Sequence, residues 1–177
     1  MFTNETEAYD WMLYQHLRAI VYRLRQLKEE HWDWTPNPAT PTARTIATHA
    51  WQWLICDRQH IAEPDALLHA DVPEPPSDPA AMCDAIEVET KLWRELFRGL
   101  TPEQLDSPRL QFNFDDGGDG LMNVRGFISH ILQHVIYKSG QISMIFFALG
   151  YDGTEEYSAP FPNPIYAEIR AAQQERL

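Results

Sequence analysis

The sequence predicts an all-α fold: a four-helix bundle with long middle connections and a short C-terminal extension. Four segments of roughly 20 to 30 residues carry apolar side chains at alternating steps of three and four, the spacing of one helix face. Proline-rich stretches that cannot continue a helix separate several of them. Side chains able to cap a helix open most of them. Seams that repeat about every 3.5 residues are those of a bundle.

The first helix is expected from about Asn4 to Glu30, with Leu13, Leu17, Ile20, Leu24 and Leu27 on its seam. TPNPATPT then breaks the chain, and Thr42 caps a second helix carrying Ile46, His49, Trp53, Cys56 and His60 on one stripe. Glu63-Pro64 ends it. After Val72-Pro73-Glu74-Pro75-Pro76, the run Ser77-Asp78-Pro79 is a cap followed by a first-turn proline, opening a third helix. Its seam is Met82, Ile86, Glu89, Trp93, Leu96 and Leu100. Thr101-Pro102-Glu103-Gln104 is the pattern of a capping box on a short extra turn. QFNF-DDGGDG-LMNV alternates around an Asp/Gly turn and predicts a small hairpin or ordered loop. Its acidic run lacks the ligand spacing and closing Glu of a calcium loop. Asn123 caps the fourth helix, which ends at Gly150 and carries Phe127, His134, Gln141, Ile145 and Leu149, with Ile131 and Ile142 alongside. Residues 1–150 are thus expected to form the bundle and 151–177 an extension packing on it. The long middle connections leave the order of up and down helices open.

Composition narrows the function. Against 14 basic residues stand 26 acidic ones, a net charge of −12. That disfavours nucleic-acid phosphates and anionic membranes as partners. No apolar run approaches the ~20 residues of a membrane span. The N-terminus, MFTNETEAYDW, has neither the basic nor the apolar region of a signal peptide. Two cysteines, Cys56 and Cys83, make no disulfide framework, and a reduced cytoplasmic chain is expected.

Polar groups on a bundle seam need a reason, because an unpaired one is costly there. The second helix places His49 on its seam and the fourth places His134. His130 and Lys138 lie one turn either side of His134 on one face. Two His four residues apart, with a third from a facing helix, can hold a zinc or iron ion with positions left open. A single seam His is more often a hydrogen-bonded core residue. Glu89 is either paired to an Arg or to Lys138, or it is a general base or a carboxylate supporting a ligand. His16 reads as an edge residue and Cys56 as a small core residue. His60 lies about 16 Å from His49 along the helix, too far to share its site.

ARTIATHAWQW in the second helix and FISHILQHVIYKSGQISMIFFALGYD in the fourth resemble the DinB/YfiT-like superfamily of metal-dependent enzymes. In that family a His of helix two joins two His from a last-helix pattern His-x-x-x-His-Arg-Gly-Gln. His49 matches the first ligand and His134 the second. The position of the final ligand is Lys138, followed by Ser139 where the family has Arg. A protonated lysine does not ligate a cation and repels one. Three arrangements follow: His130 completes a set with His49 and His134, Lys138 stands in the metal's place as a cation, or the site is vestigial. The resemblance implies a divalent metal such as zinc, nickel or iron, and a small-molecule substrate, among which low-molecular-weight thiols figure. Glu89 and Lys138 are then the candidate catalytic groups, and thiol S-transfer or hydrolysis the reaction. The rival function is a non-catalytic bundle with a degenerate metal site that binds a small ligand or forms a homodimer, with Trp32, Trp34, Trp51 and Trp53 lining a pocket or an interface.

Overall fold

The computed structural model describes residues 2, 4–63, 71–112 and 119–153, with the backbone alone at 110–112 and 119. The extension beyond residue 153 and the DDGG part of the acidic turn therefore lie outside the described residues. Four long helices form the expected bundle: α1 (Glu5–Gln26), α2 (Ala43–Ala62), α3 (Pro79–Gly99) and, after a one-turn helix α4 (Pro102–Leu105), α5 (Val124–Ala148). Between α4 and α5, strands β1 (Pro108–Phe112) and β2 (Asp119–Asn123) pair antiparallel, Pro108 opposite Asn123.

Each helix begins where a side chain can satisfy an otherwise orphaned backbone N–H. Asn4 accepts from Glu7 N, Thr42 from Thr45 N, Asp78 from Ala81 N and Asn123 from Gly126 N. Thr101 and Gln104 close a full capping box. The first helix stops at Gln26, four residues short of the sequence expectation, because Leu27 and Lys28 turn extended before a 3-10 turn at Glu29–His31. At the end of α5, Gly150 takes a φ of +80°, the left-handed conformation that favours glycine. Gly150 N donates to Phe147 O and Tyr151 N to Phe146 O, while the Tyr151 ring stacks on Phe146, a complete Schellman stop.

Contacts along the helices set their directions. Glu5 pairs with Arg125 near the N-termini of α1 and α5, and the Tyr151 hydroxyl meets Lys28 N and His31 Nδ1 near their C-termini, so these two run parallel. Asp10 with Arg94 and Arg25 with Asp84 make α1 and α3 antiparallel. His60 against Phe127 and His49 against His134 make α2 and α5 antiparallel. Hence α2 and α3 run parallel. Around the bundle the order is α1, α3, α2, α5, with α1 facing α2 and α3 facing α5 only across the diagonals.

Thirty-odd side chains fill the centre, led by Trp32, Trp93, Phe146, Leu13, Leu17 and Ile20. Trp93 Nε1 donates to Leu54 O at 2.9 Å, so this large core residue has its polar atom satisfied. All five seam leucines and isoleucines expected on α1 are buried. On α2 the buried face is Ile46, Ala47, Ala50, Leu54 and Ile61, which turns the His49–Trp53–Cys56 stripe to the edge of the core. On α5 it is Val124, Ile128, Ile131, Val135, Ile142 and Phe146, so His134 and Gln141 also sit at the edge. The expected seam of this last helix passes through its polar residues, but the apolar ones hold the centre, because an unpaired polar group there is costly.

Candidate active site

The antiparallel register of α2 against α5 stacks four layers along one seam. His60 lies flat on Phe127 at 5.1 Å between ring centres. Next, His130 Nδ1 meets Asp57 Oδ2 at 2.7 Å. The Trp53 ring then stands edge-on to His130 at 4.8 Å and tilted to His134 at 5.3 Å. Finally His49 meets His134 at 5.4 Å, and His134 is 4.4 Å from His130. Three imidazoles and one indole therefore share a half-buried cluster. Trp53 Nε1 donates to His49 Nε2 at 2.5 Å.

These bonds assign the tautomers. A neutral imidazole has one nitrogen with a lone pair. The nitrogen of His49 that accepts from an indole is that one, so its proton is on Nδ1. His130 gives its Nδ1–H to the carboxylate, leaving Nε2 as the basic nitrogen. The Asp57 hydrogen bond holds His130 above the ordinary imidazole range. Burial raises the Asp57 carboxyl in turn, the His130 bond opposing it, and Asp57 is only 1% exposed. Burial first, then the charges of His130, His49 and Lys138, pushes His134 down to about 4. His49 is lowered by burial and by Lys138 and His130. The cluster thus holds one basic imidazole and two neutral ones at neutral pH.

A family model described as the DinB superfamily matches residues 12–142. This chain belongs to the DinB superfamily. No curated protein matches it. Among solved structures it is similar to YfiT from Bacillus subtilis, described as a probable metal-dependent hydrolase with an unusual four-helix bundle topology. The identity is 13%, over 86% of this chain and 91% of that one, with a TM-score of 0.65. It is also similar to the DinB-like protein YjoA of Bacillus subtilis (15% identity, 82% and 93% covered, TM-score 0.60). A conserved protein from Enterococcus faecalis gives 13%, 82% and 96%, and 0.60. At such identities these likenesses concern the fold.

DinB membership raises the question of a metal, and the donor atoms answer it. Imidazoles bound at ~2.1 Å to one ion have ring centres about 5 Å apart, so the ring spacing here is suitable. The lone pairs are not. His49 Nε2 is committed to Trp53, which leaves two imidazoles with a lone pair to offer. The last family ligand position is Lys138, whose charge already depresses both His49 and His134. Among the described residues no group of three or more His, Cys, Asp or Glu side chains is disposed to hold a metal ion. As arranged, the donors do not fit a divalent cation.

The other sequence candidates sort as follows. Glu89 is buried but bonded to Arg58, Nε–Oε2 at 2.7 Å and Nη2–Oε1 at 3.1 Å, not to Lys138. It ties α3 to α2. Lys138 is 8% exposed, with burial lowering its pKa. Cys56 lies 3.6 Å from His60 Nδ1, and burial pushes its thiol up to about 12, so it is no nucleophile. Sequence reasoning missed Asp57. Its one signal was a carboxylate sitting next to the His49–His60 stripe, on a helix whose other inward residues, His60 aside, are apolar.

Proposed function

We propose that this DinB-superfamily chain is a hydrolase acting at the His49–His130–His134 cluster, with His130 as general base and Asp57 as the group that positions it. One observation supports this most: a carboxylate 1% exposed accepts from His130 Nδ1 at 2.7 Å. That bond turns the basic Nε2 away from Asp57 and stabilises the imidazolium formed when it takes a proton. In the step envisaged, His130 Nε2 takes one proton from water as the oxygen attacks an acyl carbon. The same proton then goes to the leaving group. The neutral His134 and His49 edges and the Trp53 ring supply a partly dry wall. A low-molecular-weight thiol would serve the same base as the alternative nucleophile, since thiols release a proton more readily than water. The shielded free cysteines suit a reducing, cytoplasmic setting.

A second reading, a non-catalytic ligand-binding bundle, draws on the Trp53–His49 bond and on Lys138, which together leave the family's metal position closed. Turnover separates the two. The purified chain is assayed on carboxylic esters, thioesters and amides, each with and without added cysteine or glutathione. His130→Ala is expected to lose about 100-fold or more in kcat. Hydrolysis that is indifferent to His130→Ala, or no turnover of any of these, overturns the hydrolase reading.

A further inference from the structure

Lys138 is a mostly buried lysine beside the cluster. It stands one turn beyond His134 on α5, 8% exposed, and among the described residues no carboxylate pairs with it. Its Nζ lies over the Tyr137 ring, 5.3 Å from the ring centre. Among the described residues, the only buried carboxylates on neighbouring helices are already committed, Glu89 to Arg58 and Asp57 to His130. An ammonium on a mostly buried side chain without a counter-charge is costly, and the Lys138 Nζ is not fully enclosed. The same position opposes a metal, and an anion is the species it suits. With the His130 imidazole already paired to the Asp57 carboxylate, Lys138 brings a single unmatched positive charge, which suits a monoanion, whereas phosphate dianions are commonly held by arginine forks.

Building on the proposed hydrolase, we propose that Lys138 anchors a substrate carboxylate beside the His130 base, so that the preferred substrates are small acyl compounds carrying one carboxylate. Lys138 lies one turn along α5 from His134, and its charge reaches both His49 and His134. A carboxylate on Nζ therefore holds the rest of a small molecule against Trp53 and His134, within the cluster. The ammonium takes the position that a ligand of the metal holds in the family pattern.

The test uses benzoate and its uncharged counterpart benzamide, titrated into the full chain by calorimetry and by quenching of tryptophan fluorescence. Wild type is expected to bind benzoate about tenfold or more tightly than benzamide, a difference of about 1.4 kcal/mol. Lys138→Met should lose that preference and Lys138→Arg should keep most of it. Thermal melting shows that each variant folds, and Lys138→Met should melt above wild type until benzoate is added to the latter. Equal binding of benzoate and benzamide by wild type, or an unchanged preference in Lys138→Met, overturns the assignment. The outcome is separable from the hydrolase reading. Preference for benzoate through Lys138 without any turnover leaves the anion site standing and removes the hydrolase. Turnover of neutral esters as fast as of carboxylate-bearing ones does the reverse.

Discussion

Replacing Glu89 with alanine tests whether this buried carboxylate is structural. Its side chain is 9% exposed and that of Arg58 18%, and two charge-assisted bonds of 2.7 and 3.1 Å join them. Exposed ion pairs contribute ~0–1 kcal/mol, whereas stripping one partner from a fully buried pair costs ~3–5. This pair lies nearer the buried limit, and Arg58 can recover part of its hydration at the surface, which gives a loss of about 3 kcal/mol. For a chain of this size that is roughly 6 to 12 °C in Tm. Arg58→Met should cost a similar amount. The double change Arg58→Met/Glu89→Ala should cost well under the sum of the two, because neither charge is then left alone. Urea and thermal unfolding of the four proteins read the cycle. A Glu89→Ala protein that melts within a degree or two of wild type yet loses its activity would show Glu89 to be catalytic and this reasoning wrong.

Asp57→Asn should move the His130 titration midpoint down, read from the imidazole proton resonances, and lower kcat at neutral pH; an unmoved midpoint refutes the pairing. His134 has a folded pKa of about 4 against an ordinary imidazole value of 6.5. The unfolded chain therefore takes up that proton first, and stability falls as pH drops from about 6.5 to 4, by of order 1–2 kcal/mol after screening of a half-buried ring. His134→Gln should flatten that slope in urea titrations. With Cys56 near 12 and Cys83 near 11, iodoacetamide at pH 8 should label neither thiol until the chain is unfolded. The double change Trp53→Phe/Lys138→His frees the His49 lone pair and restores the family ligand, so zinc binding by calorimetry should appear in it and be at least tenfold weaker in wild type.

Much of the bundle was written in local signals. Prolines, caps and the Gly150 stop act within a turn or two of themselves, so helix limits could be read from neighbouring residues. The α1 seam could be read because its apolar residues keep one phase from Leu13 to Leu27. The phases of α2 and α5 were harder. Alanines count for little in a hydrophobic pattern, yet Ala43, Ala47 and Ala50 are what faces the α2 core. α5 is apolar on several faces, and its His stripe drew the seam to one side. His49, His130 and His134 were legible as one group because helical spacing alone aligns them. Whether they have lone pairs to offer was not, since that depends on Trp53 and Asp57, whose bonds follow from rotamers and from the register of two distant helices. Glu89 was recognisable as a carboxylate in an apolar stripe, while Arg58, on the edge of another helix, carried no mark as its partner.

The parallel pairing of α1 with α5 has a consequence for biosynthesis. As the chain leaves the ribosome, α1 and α2 emerge first, and in the finished bundle they face each other only across its diagonal. A lone helix of 20-odd residues is marginal in water, so neither has a lasting neighbour until α3 follows. The seam of α2 that carries His49, Trp53 and Asp57 waits longer still, for α5, whose first residue is 62 positions beyond the end of α2. Through that interval an apolar helix face and a carboxylate that ends up buried both remain in solvent, open to chaperones and to other nascent chains. A ribosome stalled before α5 should therefore hold a chain that is collapsed but readily cut by protease, and release of some thirty more residues should be what makes it resistant.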